Sequence, residues 1–126
     1  KKLCTVNVIK YPLNEDFKVY GNLKSFYLSE ISMKQLHNSI IIIDISSHTF
    51  LFKAIYQEIP FILFFSREWL QYYTEKYISF LKILEDENLL FYWDQENDFL
   101  LFIKNKLKNE FLSKNKFKKL RNFLEN

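Results

Sequence analysis

The feature that most constrains the fold is residues 38–65, where the hydrophobic pattern changes from strand-like to helical and back. A run of isoleucines, Ile40 to Ile43, ends at Asp44. Residues 47–57 then carry apolar side chains at helical spacing, and residues 60–65 form a second apolar run opened by a proline. The order of buried strand, helix and buried strand predicts a βαβ unit with a parallel sheet.

The polar residues that follow the first of these strands lie where parallel sheets bind their ligands. Ligands bind outside the carboxyl ends of the strands, and the first N–H groups of the following helix are unpaired there and favour an anion. Hydroxyl side chains can add hydrogen bonds to a phosphate without any glycine. The candidate binding residues in this loop are Asp44, Ser46, Ser47, His48 and Thr49.

These residues also have simpler interpretations. The simpler interpretation of Ser47 is that it is a helix N-cap and nothing more, a role worth about 1 kcal/mol. A cap and a phosphate site can also coexist at one helix start. His48 can be a general acid or base or can donate to a phosphate, but no second histidine lies nearby to suggest a metal pair. Asp44 can bind a ligand hydroxyl or accept backbone N–H groups of the next loop.

The rest of the chain continues the alternation of strands and helices. Upstream, strands are predicted over residues 5–11 and 23–28, followed by a short helix that is capped by Ser29 or Ser32. A long helix is predicted over residues 67–85, with Asn88 as the residue that terminates it. A strand over 89–92, a helix capped by Asp94 and a last helix over 113–124 follow. This pattern predicts a single α/β domain over residues 1–126, with a Rossmann-like parallel sheet and flanking helices. The strand near residues 6–11 is expected to be a parallel neighbour of the two strands in residues 38–65.

Composition excludes several classes of function. With Gly21 as the only glycine, neither a dinucleotide-binding GxGxxG motif nor a Walker A loop exists, so we expect no such cofactor. The single cysteine, Cys4, excludes an internal disulfide and a cysteine-based zinc site. Trp69 and Trp93, with neighbouring tyrosines, are either stacking platforms for a ligand or packing residues in the core or at its rim.

The positive charge is concentrated near the C-terminus. Lys104 to Arg121 holds eight of the eighteen basic residues, and Glu110 is the one acidic residue among them. The last helix is amphipathic, with Phe117 and Leu120 on its apolar side. We expect this side to pack on the domain and leave the lysines solvated. The alternative is a peripheral contact with an anionic membrane, and no nucleic-acid partner is expected.

The chain resembles the C-terminal half of a GT-B type glycosyltransferase, most closely a group of bacterial transferases found with surface-polysaccharide genes. In that group, an Arg/Lys-x-Tyr-Pro strand end precedes a helix, a strand that ends in Asp, a Ser/Thr-rich turn, a helix and a proline-initiated strand. The corresponding residues here are Lys10 to Pro12, Ile40 to Asp44, Ser46 to Thr49 and Pro60 to Phe65. A further similarity covers Tyr77 to Leu90.

The resemblance implies that the chain binds a nucleotide-sugar donor, through the 44–49 loop together with Lys10. It also implies a cytoplasmic protein, peripheral to the inner membrane if the basic helix contacts lipid, and a fragment of a larger transferase whose acceptor-binding N-terminal domain is missing. The family usually has a Glu about seven residues before the proline, where this chain has Lys53. The alternative hypothesis is a noncatalytic α/β interaction module that has lost its nucleotide site.

Overall fold

The computed structural model describes residues 7–10, 24–27, 31–37, 39–43, 48–106 and 114–126. The contacts within the chain divide it into two compact units, residues 1–38 and residues 39–126. The single domain predicted over the whole chain stays a prediction.

The first unit contains a pair of parallel strands and a short helix. Strand β1 (Asn7–Lys10) pairs with β2 (Lys24–Tyr27), with Asn7 opposite Lys24. Helix α1 (Met33–His37) begins after Ser32, whose hydroxyl accepts from the Gln35 N–H while the Gln35 side chain accepts from the Ser32 N–H. This reciprocal capping box selects Ser32 over Ser29 as the cap. β1 was expected beside the strands of residues 38–65, but among the described strands its hydrogen-bonded partner is β2.

The second unit contains a three-stranded parallel sheet in the order β3-β4-β5. The strands are β3 (Ile41–Ile43), β4 (Phe61–Phe65) and β5 (Leu90–Tyr92), and helix α2 (His48–Tyr56) connects the first two. The predicted βαβ unit is therefore confirmed. Three further helices follow: α3 (Glu75–Asp86), α4 (Glu96–Lys106) and α5 (Lys114–Glu125).

Helices cover both faces of the central strand β4. Alternate residues of a strand point to opposite faces, so Phe61 and Phe64 lie on different sides of the sheet. The Phe61 ring meets Phe117 of α5 at a centroid distance of 6.5 Å. On the other face, Phe64 stacks on Phe99 of α4 at 4.2 Å. The predicted α/β class with a parallel sheet and flanking helices is thus confirmed, and it is compatible with a Rossmann-like arrangement.

The outer strand β3 differs from the fully buried strand that its four isoleucines predicted. Ile41 and Ile43 are buried, but Ile42 is 49% exposed. Strand order does not account for this exposure, because β5 is also at an end of the order and its three residues are all buried. An apolar run alone does not show whether both faces of a strand are buried.

The helix predicted over residues 67–85 is two elements. A 3₁₀ helix (Arg67–Tyr72) comes first, and α3 starts only after Thr74, which is extended. The Thr74 hydroxyl accepts from the Tyr77 N–H and therefore caps α3. Apolar residues continue at helical spacing across this break, which explains why the pattern suggested one helix.

Two helices end at non-glycine residues with positive φ. Glu58 (φ 55°) follows α2, and Asn88 (φ 60°) follows α3 at the predicted end. In each case the next N–H reaches back into the helix, from Ile59 to the Ala54 carbonyl at 2.9 Å and from Leu89 to the Leu84 carbonyl at 2.8 Å. These are Schellman-type ends, which usually use glycine. The two apolar residues that follow, Ile59 and Leu89, are fully buried.

Helix α5 packs on the second unit as expected, with Phe117 and Leu120 buried. Lys118 and Lys119 are exposed as expected, and three cations of the helix also have hydrogen-bond or ion-pair partners. Lys116 donates to the Glu87 carbonyl at 2.9 Å, and Lys119 pairs with the Glu87 carboxylate at 2.6 Å. The hydrogen bond that Lys119 donates to Glu87 raises the pKa of Lys119. Arg121 reaches the Glu58 carboxylate at 3.5 Å. No helix in the described ranges is both long and apolar enough to cross a membrane.

Candidate functional site

The carboxyl ends of the three strands in the second unit lie at the same edge of the sheet, because all three strands are parallel. β4 ends at Phe65 and β5 at Tyr92, and these two residues are register partners. The 3₁₀ helix Arg67–Tyr72 follows β4, and a second one, Trp93–Gln95, follows β5. This edge is where α/β sheets bind ligands, so it defines the candidate site.

The predicted binding residues are only partly within the described structure. His48 is the first residue of α2, and Thr49 follows it with an exposed side chain. Lys10 ends β1 in the first unit. Three of the predicted residues lie outside the described ranges: Asp44, Ser46 and Ser47. The start of α2 at His48 agrees with the predicted helix start to within one residue.

An ion pair joins the ends of β4 and β5. The Arg67 guanidinium donates to both oxygens of Asp94, with Nε–Oδ2 at 2.9 Å and Nη2–Oδ1 at 3.0 Å. The guanidinium also lies over the Tyr92 ring, 4.0 Å from its centroid. Bidentate geometry and a cation–π contact hold the Arg67 side chain in one orientation. Asp94 was predicted to cap a helix; it lies instead inside the short 3₁₀ helix before α4, with its carboxylate on Arg67.

The ion pair changes the proton affinities of its members. The hydrogen bond from Arg67 lowers the pKa of Asp94, and the same bond raises the pKa of Arg67. Burial raises the pKa of Tyr92 beneath the guanidinium. Both charged side chains remain about half exposed, so solvent screens the pair and its contribution to stability is modest.

A sequence signal for this pair was present. Arg67 and Asp94 each lie two residues beyond the end of a strand, and those strand ends are register partners. When two oppositely charged residues each follow the end of a strand by the same number of residues, and the two strands are parallel neighbours in register, their side chains lie close enough to form an ion pair. The signal requires knowing that β4 and β5 are neighbours, which the sequence alone did not establish.

Beside the ion pair is an open cleft of about 370 Å³. Its lining residues come from both loops that leave the carboxyl edge: Ser66, Glu68, Trp69, Gln71, Tyr72 and Trp93. The three aromatic residues are largely exposed: Trp69 is 45% exposed, Tyr72 is 72% exposed and Trp93 is 56% exposed. The sequence left open whether the tryptophans are stacking platforms or packing residues of the core or its rim, and both are about half exposed. We call these three residues the aromatic cleft.

The described part of the carboxyl edge offers groups that can bind a ligand. Among the described residues, no cluster of His, Cys, Asp and Glu has the arrangement of a metal site. The aromatic cleft provides apolar ring faces, while Glu68 and Gln71 provide hydrogen-bonding groups at its wall. Clefts of this mixed character are typical of small-molecule sites.

No protein-family model, curated protein or solved structure matches the chain.

Proposed function

We propose that the chain is the nucleotide-sugar donor-binding domain of a glycosyltransferase-like protein in bacterial surface polysaccharide biosynthesis. The observation that carries the proposal is the parallel β3–α2–β4 crossover, whose helix begins at His48 directly after residues 44–47. Nucleotide phosphates commonly bind where a strand leads into a helix at this edge. The resemblance to GT-B enzymes supports a nucleotide sugar as the ligand and a separate acceptor-binding domain as the partner.

In this proposal, backbone and hydroxyl groups bind the diphosphate. The unpaired N–H groups at the start of α2 attract an anion, and the hydroxyls of Ser47 and Thr49 add hydrogen bonds. His48 donates to a phosphate oxygen, and Asp44 accepts from a hydroxyl of the ligand. Lys10, which ends β1 in the first unit, stays a predicted binding residue.

Lys53 gives the proposal a specific feature. It lies in α2 at the position where the resembled family usually has Glu, a residue that can hold the ribose or sugar of the donor. An ammonium group only donates hydrogen bonds, whereas a carboxylate accepts them from hydroxyls. The donor's hydroxyls are therefore held by other acceptors in this chain.

The test is calorimetric titration of the protein with UDP, CDP and GDP. We expect at least one to bind, and we expect the Ser47→Ala, Thr49→Ala double variant to lose that binding while losing only about 1–2 kcal/mol of stability. A matched control is Ser32→Ala with Thr74→Ala, which removes two hydroxyl caps elsewhere, each accepting a backbone N–H. The control should lose similar stability and keep its affinity. Unchanged affinity in the first double variant would refute the assignment.

The second candidate, a noncatalytic interaction module, has its own supporting observation. Leu100 and Leu101 are adjacent on α4 and both are more than half exposed. Apolar side chains exposed next to one another are typical of contact surfaces. Absence of affinity for all three nucleotides in the unmodified protein would favour this candidate.

A peripheral membrane contact through α5 stays a prediction. Because Phe117 and Leu120 are buried, the helix has no free apolar face with which to enter a bilayer in this state. Any contact is then electrostatic, through exposed lysines such as Lys118, and it weakens as salt is added.

A further inference from the structure

We propose that the aromatic cleft of Trp69, Tyr72 and Trp93 binds the ring of a sugar. The inference rests on the proposed function, and it deepens that function by giving the carbohydrate part of a substrate its own subsite. The cleft is at the carboxyl edge of β4 and β5, on the same sheet edge as the start of α2. Three observations support it.

The first observation is that the aromatic residues are not needed to build the core. Trp69 and Tyr72 belong to a 3₁₀ helix in which no residue is buried. Trp93 belongs to another short 3₁₀ helix that also lacks buried residues. Large aromatic side chains normally bury most of their surface, so three exposed ones around one concavity indicate a binding surface.

The second observation is the geometry of the rings. The Trp69 and Tyr72 rings are 5.8 Å apart between centroids and inclined by 56°. Two inclined rings do not form the parallel-walled slot that would sandwich a flat nucleobase. A pyranose is a puckered ring whose C–H groups form an apolar face, and these slightly positive hydrogens contact the negative face of an aromatic ring. An inclined pair of rings suits such a three-dimensional ligand.

The third observation is the charge of the lining. Glu68 is the one charged residue among the six described residues that line the cleft. Arg67, next to it in the sequence, is paired with Asp94. A phosphate would be repelled by Glu68, whereas the hydroxyls of a neutral sugar can donate to its carboxylate and bond with the Gln71 amide. The diphosphate is therefore assigned to the start of α2 and the neutral ring to the cleft.

The experiment uses tryptophan fluorescence, because Trp69 and Trp93 are the only tryptophans in the chain and both line the cleft. The probes are the methyl glycosides of glucose, galactose, mannose, rhamnose and N-acetylglucosamine, with uridine as the nucleoside comparison. We expect a saturable change in emission with at least one glycoside and a millimolar Kd. No saturable change with any glycoside overturns the inference.

Variants identify the residues that act. Trp69→Ala should weaken glycoside binding about tenfold, the equivalent of roughly 1.4 kcal/mol, while Trp69→Phe keeps an aromatic face and should retain most of the affinity. Tyr72→Ala should also weaken binding. The matched control is Tyr56→Ala, which removes an exposed tyrosine at the far end of α2 and should change nothing. Equal affinities in Trp69→Ala and Tyr56→Ala would overturn the inference.

The outcomes separate this inference from the proposed function. Nucleotide binding that depends on Ser47 and Thr49, without any glycoside binding, supports the proposed function and overturns the sugar subsite. Glycoside binding without nucleotide binding supports the subsite and contradicts the donor-binding function. Saturable binding of uridine that is lost in Trp69→Ala assigns the cleft to a base, and this overturns the assignment to a sugar.

Discussion

Substituting Leu120 with Ala tests whether α5 is an integral part of the second unit. Leu120 is fully buried, and Phe117, one turn earlier, is buried beside Phe61. The substitution removes three buried carbon atoms, worth about 0.8 kcal/mol each, or roughly 2.4 kcal/mol in total. The cavity left behind adds to this, so we expect a loss of about 3 kcal/mol, within the range of about 2–5 kcal/mol typical of buried leucines. Alanine favours helix, so the backbone of α5 itself is not weakened.

The assay is urea unfolding followed by tryptophan fluorescence and circular dichroism. The midpoint should fall while the slope of free energy against urea stays the same, which indicates a change in stability alone. Lys118→Ala is the matched control, because Lys118 is exposed in the same helix, and we expect a change of no more than about 0.5 kcal/mol. A loss below about 1 kcal/mol in Leu120→Ala would show that α5 does not pack as described.

Substitutions at Glu58, Asp94 and Arg67 test the end of α2 and the ion pair. At Glu58, which has φ 55°, both Gly and Ala remove the contact with Arg121, but Ala keeps the Cβ that disfavours this conformation. Urea unfolding should therefore find Glu58→Gly more stable than Glu58→Ala by about 1 kcal/mol, and equal stabilities would contradict the strain. The lowered pKa of Asp94 means that the ion pair stabilises the folded chain above the ordinary aspartate pKa of about 3.9, and that this contribution disappears as pH falls through the lower, folded value. Asp94→Asn should thus be less stable than the unmodified protein at neutral pH, and the two stabilities should become similar in acid. In Arg67→Ala, an NMR titration should find the pKa of Asp94 at its ordinary value.

The βαβ unit was predictable because its signals are local. The isoleucine run before Asp44, the helical spacing after it and the proline-initiated run at residues 60–65 each depend on nearby residues only. Parallel pairing followed because a helix-length segment separates the two strands. The same local logic identified the strand at residues 89–92 and the last helix, and the structure contains both.

The misassigned features depend on tertiary context or on competing local bonds. The spacing of apolar residues could not reveal the break before α3, because the start of α3 is set by the extended backbone of Thr74 and its side-chain hydrogen bond with the Tyr77 N–H. Ile42 is half exposed because one face of β3 is incompletely covered, and the apolar run does not encode how far each face of a strand is covered. Asp94 is a good N-cap residue by type, but the guanidinium of Arg67 binds it from a neighbouring strand end.

The candidate site was partly predictable for the same reason. Residues 44–49 were selected because a strand end and a helix start can be read along the chain. The aromatic cleft combines residues from two loops that are more than twenty residues apart in sequence, Ser66 to Tyr72 and Trp93. The sequence marks its two tryptophans as candidate stacking residues, but only the order of β4 and β5 brings them together.

The Arg67–Asp94 pair also determines how the carboxyl edge can recognise an anion. An unpaired arginine after β4 could bind a phosphate. Here the Nε and Nη2 groups of Arg67 already donate to the two oxygens of Asp94. An arriving phosphate would have to displace a carboxylate that remains nearby and repels it. In the proposed function, the anion therefore binds at the N–H groups and hydroxyls at the start of α2 and not at Arg67. The same pair holds the ends of β4 and β5 together, and so fixes the spacing of the two loops that form the aromatic cleft.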